Sequence, residues 1–314
     1  MSETDPMAGV LTGFAIIGAI VAVGYLVGRL GVLGQGASTT LGRAAFFVFA
    51  PALLFTVLAE ADVGQLFSAL LPVSAAAAVV VMLVSIAITR FFWRRAAPET
   101  TIGALGAGYS NANNIGLPIA AYVLGDPAVV APVILLQLVV MAPIALTVLD
   151  LTTSGRLSVG RVLSQPFRNP LIIGSASGLL LAVTGVRLPE PIMEAFHLVG
   201  GAAVPTVLFA FGISLYGQRV LAPGTDRRDV LLATALKIVG MPVVAWIIGA
   251  FVFRLEPMAL FTVVTLAALP TAQNVFTYAQ RFDRGVLVAR DTVLITTALS
   301  VPALVVVAAL LAPG

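Results

Sequence analysis

The sequence predicts an all-α membrane protein of ten transmembrane helices, arranged as two inverted five-helix repeats whose fourth and ninth helices are broken. Three observations carry that prediction. The chain is 60% hydrophobic and 10% charged with a mean hydropathy of +1.07, far more apolar than a soluble domain of its length requires. Uncharged windows such as Val63 to Thr89, Ala128 to Leu149 and Thr292 to Gly314 exceed the roughly 18 residues that suggest a spanning helix. Two apolar segments, finally, are interrupted at their centres by amide side chains and a proline. They are Tyr109-Ser110-Asn111-Ala112-Asn113-Asn114-Ile115-Gly116-Leu117-Pro118 and Leu269-Pro270-Thr271-Ala272-Gln273-Asn274-Val275-Phe276.

The expected spans run over 10–29, 40–59, 65–92, 100–124, 127–150, 169–186, 192–217, 230–253, 257–280 and 286–311. Met1 to Met7 carries Glu3 and Asp5 and no positive charge, so the first span reads as a retained helix and not as a cleaved signal. Cysteine is absent, which removes disulfides, thiolate metal sites and thiol redox chemistry. The pI near 9.7 does not imply a nucleic-acid partner, because the positive charges sort onto alternating loops. Arg29, Arg43, Arg90, Arg94, Arg95, Arg156, Arg161, Arg168, Arg219, Arg227, Arg228, Arg281, Arg284 and Arg290 fall on or beside the odd loops. The other side holds only Arg187 and Arg254, with Glu3, Asp5, Glu60, Asp62, Asp126, Glu190, Glu194 and Glu256. This bias places the odd loops in the cytoplasm and both termini outside, in the orientation of a multi-pass protein of the inner (cytoplasmic) membrane.

Five helices per half is an odd number, so homologous halves must enter the bilayer from opposite sides. Pro51-Ala52-Leu53-Leu54-Phe55 in the second span matches Pro205-Thr206-Val207-Leu208-Phe209 in the seventh, and the broken segments are fourth and ninth. The expected organisation is a first repeat over 1–150, a polar cytoplasmic linker over 151–168 and a second repeat over 169–314.

Breaks of this kind are costly in lipid unless each freed backbone group finds a partner or lines a cavity. Paired in two halves of one chain, they mark a transporter's binding site. Pro118 and Pro270 lack an N–H and deprive the carbonyls of Asn114 and Leu266 of their helical donors. Half-helix N-termini favour an anionic carboxylate. Asn111, Asn113, Asn114, Gln273 and Asn274 add donors and acceptors, Thr271 adds a hydroxyl, and Gly116 permits close backbone approach. The plainer reading of either proline is a kink stabilised by neighbouring helices; Pro51 and Pro205 are read that way. Three asparagines in four positions at mid-span point to function instead.

These segments resemble the auxin efflux carrier family, which contains plant auxin carriers and bacterial permeases proposed for malate, malonate and related acids. Ser110 to Pro118 is similar to that family's Ser- and Asn-rich segment ending in Gly-Leu-Pro, and Leu269 to Asn274 to its second break. The resemblance implies that the broken helices cross at the midplane and that the protein works as an elevator. Helices three to five and eight to ten would be mobile, on a dimeric scaffold of the first, second, sixth and seventh. The short linker here departs from the long central loop of many plant carriers. Pro-Thr-Ala-Gln-Asn stands where relatives often carry Pro-Ala-Ala or Pro-Pro-Ala, which leaves the substrate open.

Ionisable groups inside spans are candidates for coupling or gating. Lys237 and Asp291 lie at similar depth and are placed to pair. Lys237 snorkelling to the interface and Asp291 pairing with Arg290 or Arg284 is the alternative. Gln137 either lines the cavity or makes an interhelical hydrogen bond. His197 reads as a surface residue beside Glu194. With one histidine remote from any Gly-x-Ser-x-Gly element, and no metal-ligand cluster, no catalytic residue, cofactor or metal is expected. The expected function is secondary transport of a small organic carboxylate, with H+ or Na+ as candidate coupling ions. A sodium- or proton-coupled cation antiporter or symporter of similar architecture is the alternative.

Overall fold

The structure, a computed structural model, describes residues 6–60, 69–154, 169–217 and 226–313. Most of the expected linker, together with Glu3, Asp5, Asp62 and Arg219, lies outside the described residues. The helices are α1 (Pro6–Leu30), α2 (Ala37–Ala59), α3 (Leu70–Phe92), α4 (Ala97–Gly108), α5 (Leu117–Tyr122), α6 (Pro127–Thr153), α7 (Pro170–Thr184), α8 (Glu190–Leu215), α9 (Arg227–Val252), α10 (Pro257–Ala267), α11 (Gln273–Phe282) and α12 (Val286–Leu311). Six of them, α2, α3, α6, α8, α9 and α12, are long and apolar enough to cross a membrane, and Ala15–Leu30, α7 and α10 are shorter apolar helices. Among the described residues there is no β-strand. Large apolar side chains such as Phe92, Leu198 and Leu310 are more than three-quarters exposed, which suits a surface solvated by lipid tails.

Local chemistry sets the ends and bends of these helices. Asn169 and Asp126 accept from the N–H groups of Leu171 and Ala128, N-caps that satisfy otherwise orphaned donors. Gly185, at φ 68°, ends α7 in the left-handed conformation. Three internal π-helical turns stand directly before prolines. Ala50, Ala142 and Met241 each donate to the carbonyl five residues back, and Pro51, Pro143 and Pro242 follow without an N–H to offer.

The chain forms two compact units. Unit 1 comprises residues 1–68, 113–134 and 165–218 and is held by glycines that admit a neighbouring backbone. On α1, a Cβ at Gly24 would overlap the Phe209 carbonyl of α8, and one at Gly28 would lie 3.0 Å from the Ile213 carbonyl. On α7, the same four-residue spacing sets Gly174 and Gly178 against the carbonyls of Pro51 and Phe55 in α2. Small residues spaced this way permit close helix approach in lipid. Phe55 and Phe209, the matching ends of the two similar pentapeptides, thus receive a glycine in the same manner. His197 Nε2 lies 3.0 Å from Glu60 Oε1 on an exposed face.

Unit 2 comprises residues 69–112, 135–164 and 219–314. Ile102, Leu105, Tyr109, Ala142, Ala145, Leu149, Ala272 and Val275 contribute to its core. The ends of α3 and α9 are built alike. Trp93 donates to Ile88 and Arg95 to Thr89, with Arg94 at φ 55°; Phe253 donates to Ile248 and Leu255 to Gly249, with Arg254 at φ 49°. After each such turn the chain enters a helix that is later broken.

The Arg95 guanidinium, between α3 and α4, donates Nε to Asp229 Oδ1 at 3.2 Å and reaches both Asp229 Oδ2 and Asp226 Oδ1. These two carboxylates hold its proton more tightly than usual. Asp229 is nearly buried, so Arg95→Gln strands a carboxylate, costing about 1–3 kcal/mol. The expected result is a lower melting temperature, partly restored by adding Asp229→Asn, as a double-mutant cycle of thermal melts will measure.

Candidate functional site

Both segments expected to be broken are interrupted, and their extended residues pair with each other inside unit 2. After α4, Tyr109 donates to Leu105 at 2.8 Å and turns extended, with φ −96° and ψ 100°. Ser110 and Thr271 then form an isolated antiparallel bridge. Asn111 N–H donates to the Pro270 carbonyl at 2.8 Å, and Ala272 N–H to the Tyr109 carbonyl at 2.9 Å. The bridge helps an unwound backbone survive here: each broken segment donates one N–H to a carbonyl of the other.

Side chains complete the crossing. Thr271, fully buried, donates its hydroxyl to the Gly106 carbonyl at 2.6 Å. Thr271 N–H donates to Thr296 Oγ1 at 3.1 Å, and Thr296 Oγ1 donates to the Thr292 carbonyl at 2.7 Å. Gly106 has no room to spare, since its Cβ would come 3.3 Å from Ala233 Cβ and 3.4 Å from Thr292 Cγ2.

Pro270 lies within the unwound residues. Pro118 does not: it stands in the first turn of α5, behind the π-helical turn Ala112–Gly116, where a missing N–H costs nothing. The first break therefore falls at Tyr109–Asn111. Asn113, Asn114, Gly116 and Pro118 belong to unit 1. There Asn113 Nδ2 donates to Asn114 Oδ1 at 2.8 Å, and Asn113 Oδ1 is buried with no hydrogen-bond partner.

Asn111, Gln137, Pro270, Thr271, Gln273 and Asn274 belong to unit 2. Asn111 and Gln137 are buried, Asn274 is half-buried, and Gln273 is exposed as the first residue of α11. Gln137 sits on the π-helical turn of α6.

Lys237 does not snorkel. It is fully buried, with Nζ 2.7 Å from the Ala267 carbonyl and 3.1 Å from Met241 Sδ. Asp291, also fully buried, takes the local partner, with Arg290 Nε at 2.8 Å.

Some participants carried no recognised signal. Tyr109 packs edge-to-face on Tyr278 at 6.4 Å, its hydroxyl buried near Tyr278 and Asn274 without a well-formed hydrogen bond. Thr296 and Met241 look like ordinary core residues in the sequence. The Gly24/Gly28 and Gly174/Gly178 spacings were readable as a helix-packing signal.

A family model described as "Membrane transport protein" matches residues 10–308. The chain belongs to that family, the auxin efflux carrier family its motifs resemble. It is similar to the "Putative malonate transporter" of Rhizobium meliloti (strain 1021), 26% identical over 90% of this chain and 89% of the relative. It is 24% identical to the "Uncharacterized transporter YfdV" of Escherichia coli (strain K12), over 84% and 85% of the two chains. An "Uncharacterized transporter" of Methanothermobacter thermautotrophicus is 25% identical over 97% of each. The protein is a multi-pass membrane transporter and not an enzyme.

Proposed function

We propose that this transporter moves a small organic carboxylate across the cytoplasmic membrane by alternating access of the elevator type, taking the anion at its broken helices. The observation that carries the reading is the crossing itself: unwound backbone held by the Ser110–Thr271 bridge, flanked along the chain by amides and by no carboxylate in either broken segment. Neutral donors suit an anion, whereas a bare cation calls for carboxylates or clustered oxygens. Asn111, Asn113, Asn114, Gln137, Gln273 and Asn274 supply the polar contacts. Thr271 fixes the crossing, and Gly116, Pro118 and Pro270 shape the backbone. The N-terminal turn of α11 adds partial positive charge.

The proposed architecture is ten spans in two inverted repeats, 1–150 and 169–314, with both termini outside and a homodimeric scaffold. Its supports are the charge bias, the like-built ends of α3 and α9, and the matched roles of Phe55 and Phe209. The third to fifth and eighth to tenth spans serve as the carrier, and the first, second, sixth and seventh as the scaffold. The relative named for malonate supports a dicarboxylate as the first probe.

Uptake of radiolabelled malonate, malate, acetate and indole-3-acetate into proteoliposomes tests the reading. Saturable, protein-dependent uptake of at least one acid is expected. Uptake of none, with Na+/H+ exchange in the same vesicles, would replace it with the cation-coupled reading.

A further inference from the structure

The chain's single lysine serves a peptide group that the second break has orphaned. In an uninterrupted α10 the Ala267 carbonyl would accept from the Thr271 N–H, four residues on. That N–H goes instead to the Thr296 hydroxyl, and Lys237 Nζ takes its place on the Ala267 carbonyl at 2.7 Å. Met241 Sδ, 3.1 Å from Nζ, also accepts the Ser110 hydroxyl at 4.0 Å. Lys237 is thereby tied to the second break directly and to the first through one thioether. The π-helical turn Leu236–Gly240 places it.

No acidic oxygen among the described residues lies within 4 Å of its Nζ. The packed elements bring Arg227, Arg228 and Asp229 on α9, Arg90 on α3, Glu99 on α4, and Arg290 and Asp291 on α12; α10 brings no charged side chain. Asp229 is held by Arg95, Glu99 by Arg284 and Asp291 by Arg290, so each acid has an arginine of its own.

The C-terminal end of a helix gathers partial negative charge on its carbonyl oxygens and favours a cation. In a carrier with broken helices a mobile alkali ion can fill that need. The geometry points to Lys237 as a built-in cation: its ammonium occupies the carbonyl end of α10 that a bound Na+ would otherwise fill, so the crossing is held, and carboxylate is carried, without sodium. Lys237 is a positioning residue, since its Nζ holds the Ala267 carbonyl and not the anion. This inference rests on the carboxylate reading above.

The test melts purified wild type, Lys237→Met and Lys237→Ala in NaCl and in choline chloride, and measures malonate uptake in the same two salts. Wild type is expected to melt and transport alike in both. Lys237→Met should melt roughly 2–8 °C lower, because a buried carbonyl loses its donor. Lys237→Ala should regain stability with n-propylammonium and not with n-propanol, a rescue that restored bulk alone would not give. Sodium-dependent stabilisation of wild type overturns the inference, as does a Lys237→Met protein that melts and transports like wild type. Should neither variant purify, Lys237→Arg must outperform Lys237→Gln in yield and melting temperature; parity between them overturns it equally. If wild type carries none of the acids while salt-insensitive melting and rescue hold, the substrate reading fails and the role of Lys237 stands.

Discussion

Replacing Asn113 and Asn114 together by alanine is expected to reduce carboxylate uptake to that of empty liposomes while the protein still expresses and purifies. The two amides hydrogen-bond each other at 2.8 Å, so removing both avoids leaving one amide of the pair facing the other's lost group. The crossing does not depend on these side chains, because backbone groups of Tyr109, Asn111, Pro270 and Ala272 close it. What the double variant loses is recognition. Asn113 Oδ1 is buried without a partner, a cost that a water accompanying the anion can recover by donating to it, while the amide N–H groups donate to the carboxylate. A hydrogen bond to a charged group contributes about 1.5–3 kcal/mol, so two together are worth about 3–6 kcal/mol, or ~10²–10⁴-fold in affinity. The single Asn113→Ala variant should fall between, with a raised half-saturation concentration. Uptake by the double variant at the wild-type rate would remove these amides from the site.

The breaks were legible because amides and prolines in the middle of apolar segments violate what lipid tolerates. Their exact positions were less so. Proline marks a break only where a helical N–H is missed: Pro270 qualifies, while Pro118 stands in a first turn and the unwinding moves up the chain to Tyr109–Asn111. The direction of Lys237 was not legible, because a snorkelling and a buried lysine look alike in sequence and the partner that takes it, the Ala267 carbonyl, lies 30 residues away. For Asp291 the local partner Arg290 was among the alternatives, being adjacent. His197 lies one turn from Glu194 in sequence, yet its ring meets Glu60, 137 residues away; helix pairing decides that contact, and no local spacing encodes it. The same holds for the glycines of unit 1. Their spacing was visible, but the carbonyls they admit depend on which helices lie side by side.

Gly212→Val is expected to abolish recovery of folded, monodisperse protein, and Gly178→Val to do the same. A Cβ at Gly212 would overlap the Val21 carbonyl oxygen and lie 2.9 Å from both Gly24 Cα and Tyr25 N; at Gly178 it would overlap the Phe55 carbonyl. These neighbours are backbone, so no side-chain rotation relieves the clash, and α1 must move away from α8, or α7 from α2. Between helices in lipid there is little hydrophobic drive to compensate, since tails are as apolar as leucine and close packing does the holding. A radial gap of even 0.5–1 Å forfeits about a quarter to a half of each contact's dispersion well along the seam. Overpacking alone costs about 1–3 kcal/mol, and the larger valine adds further lost contacts, against a total stability of about 5–15 kcal/mol. Gly18→Ala on the same α1 is the control, because a Cβ there meets nothing within 4 Å, and it should elute and melt as wild type does. Size-exclusion profiles and thermal melts in detergent read all three. A Gly212→Val protein with the wild-type profile would mean that α1 and α8 do not rely on this close approach.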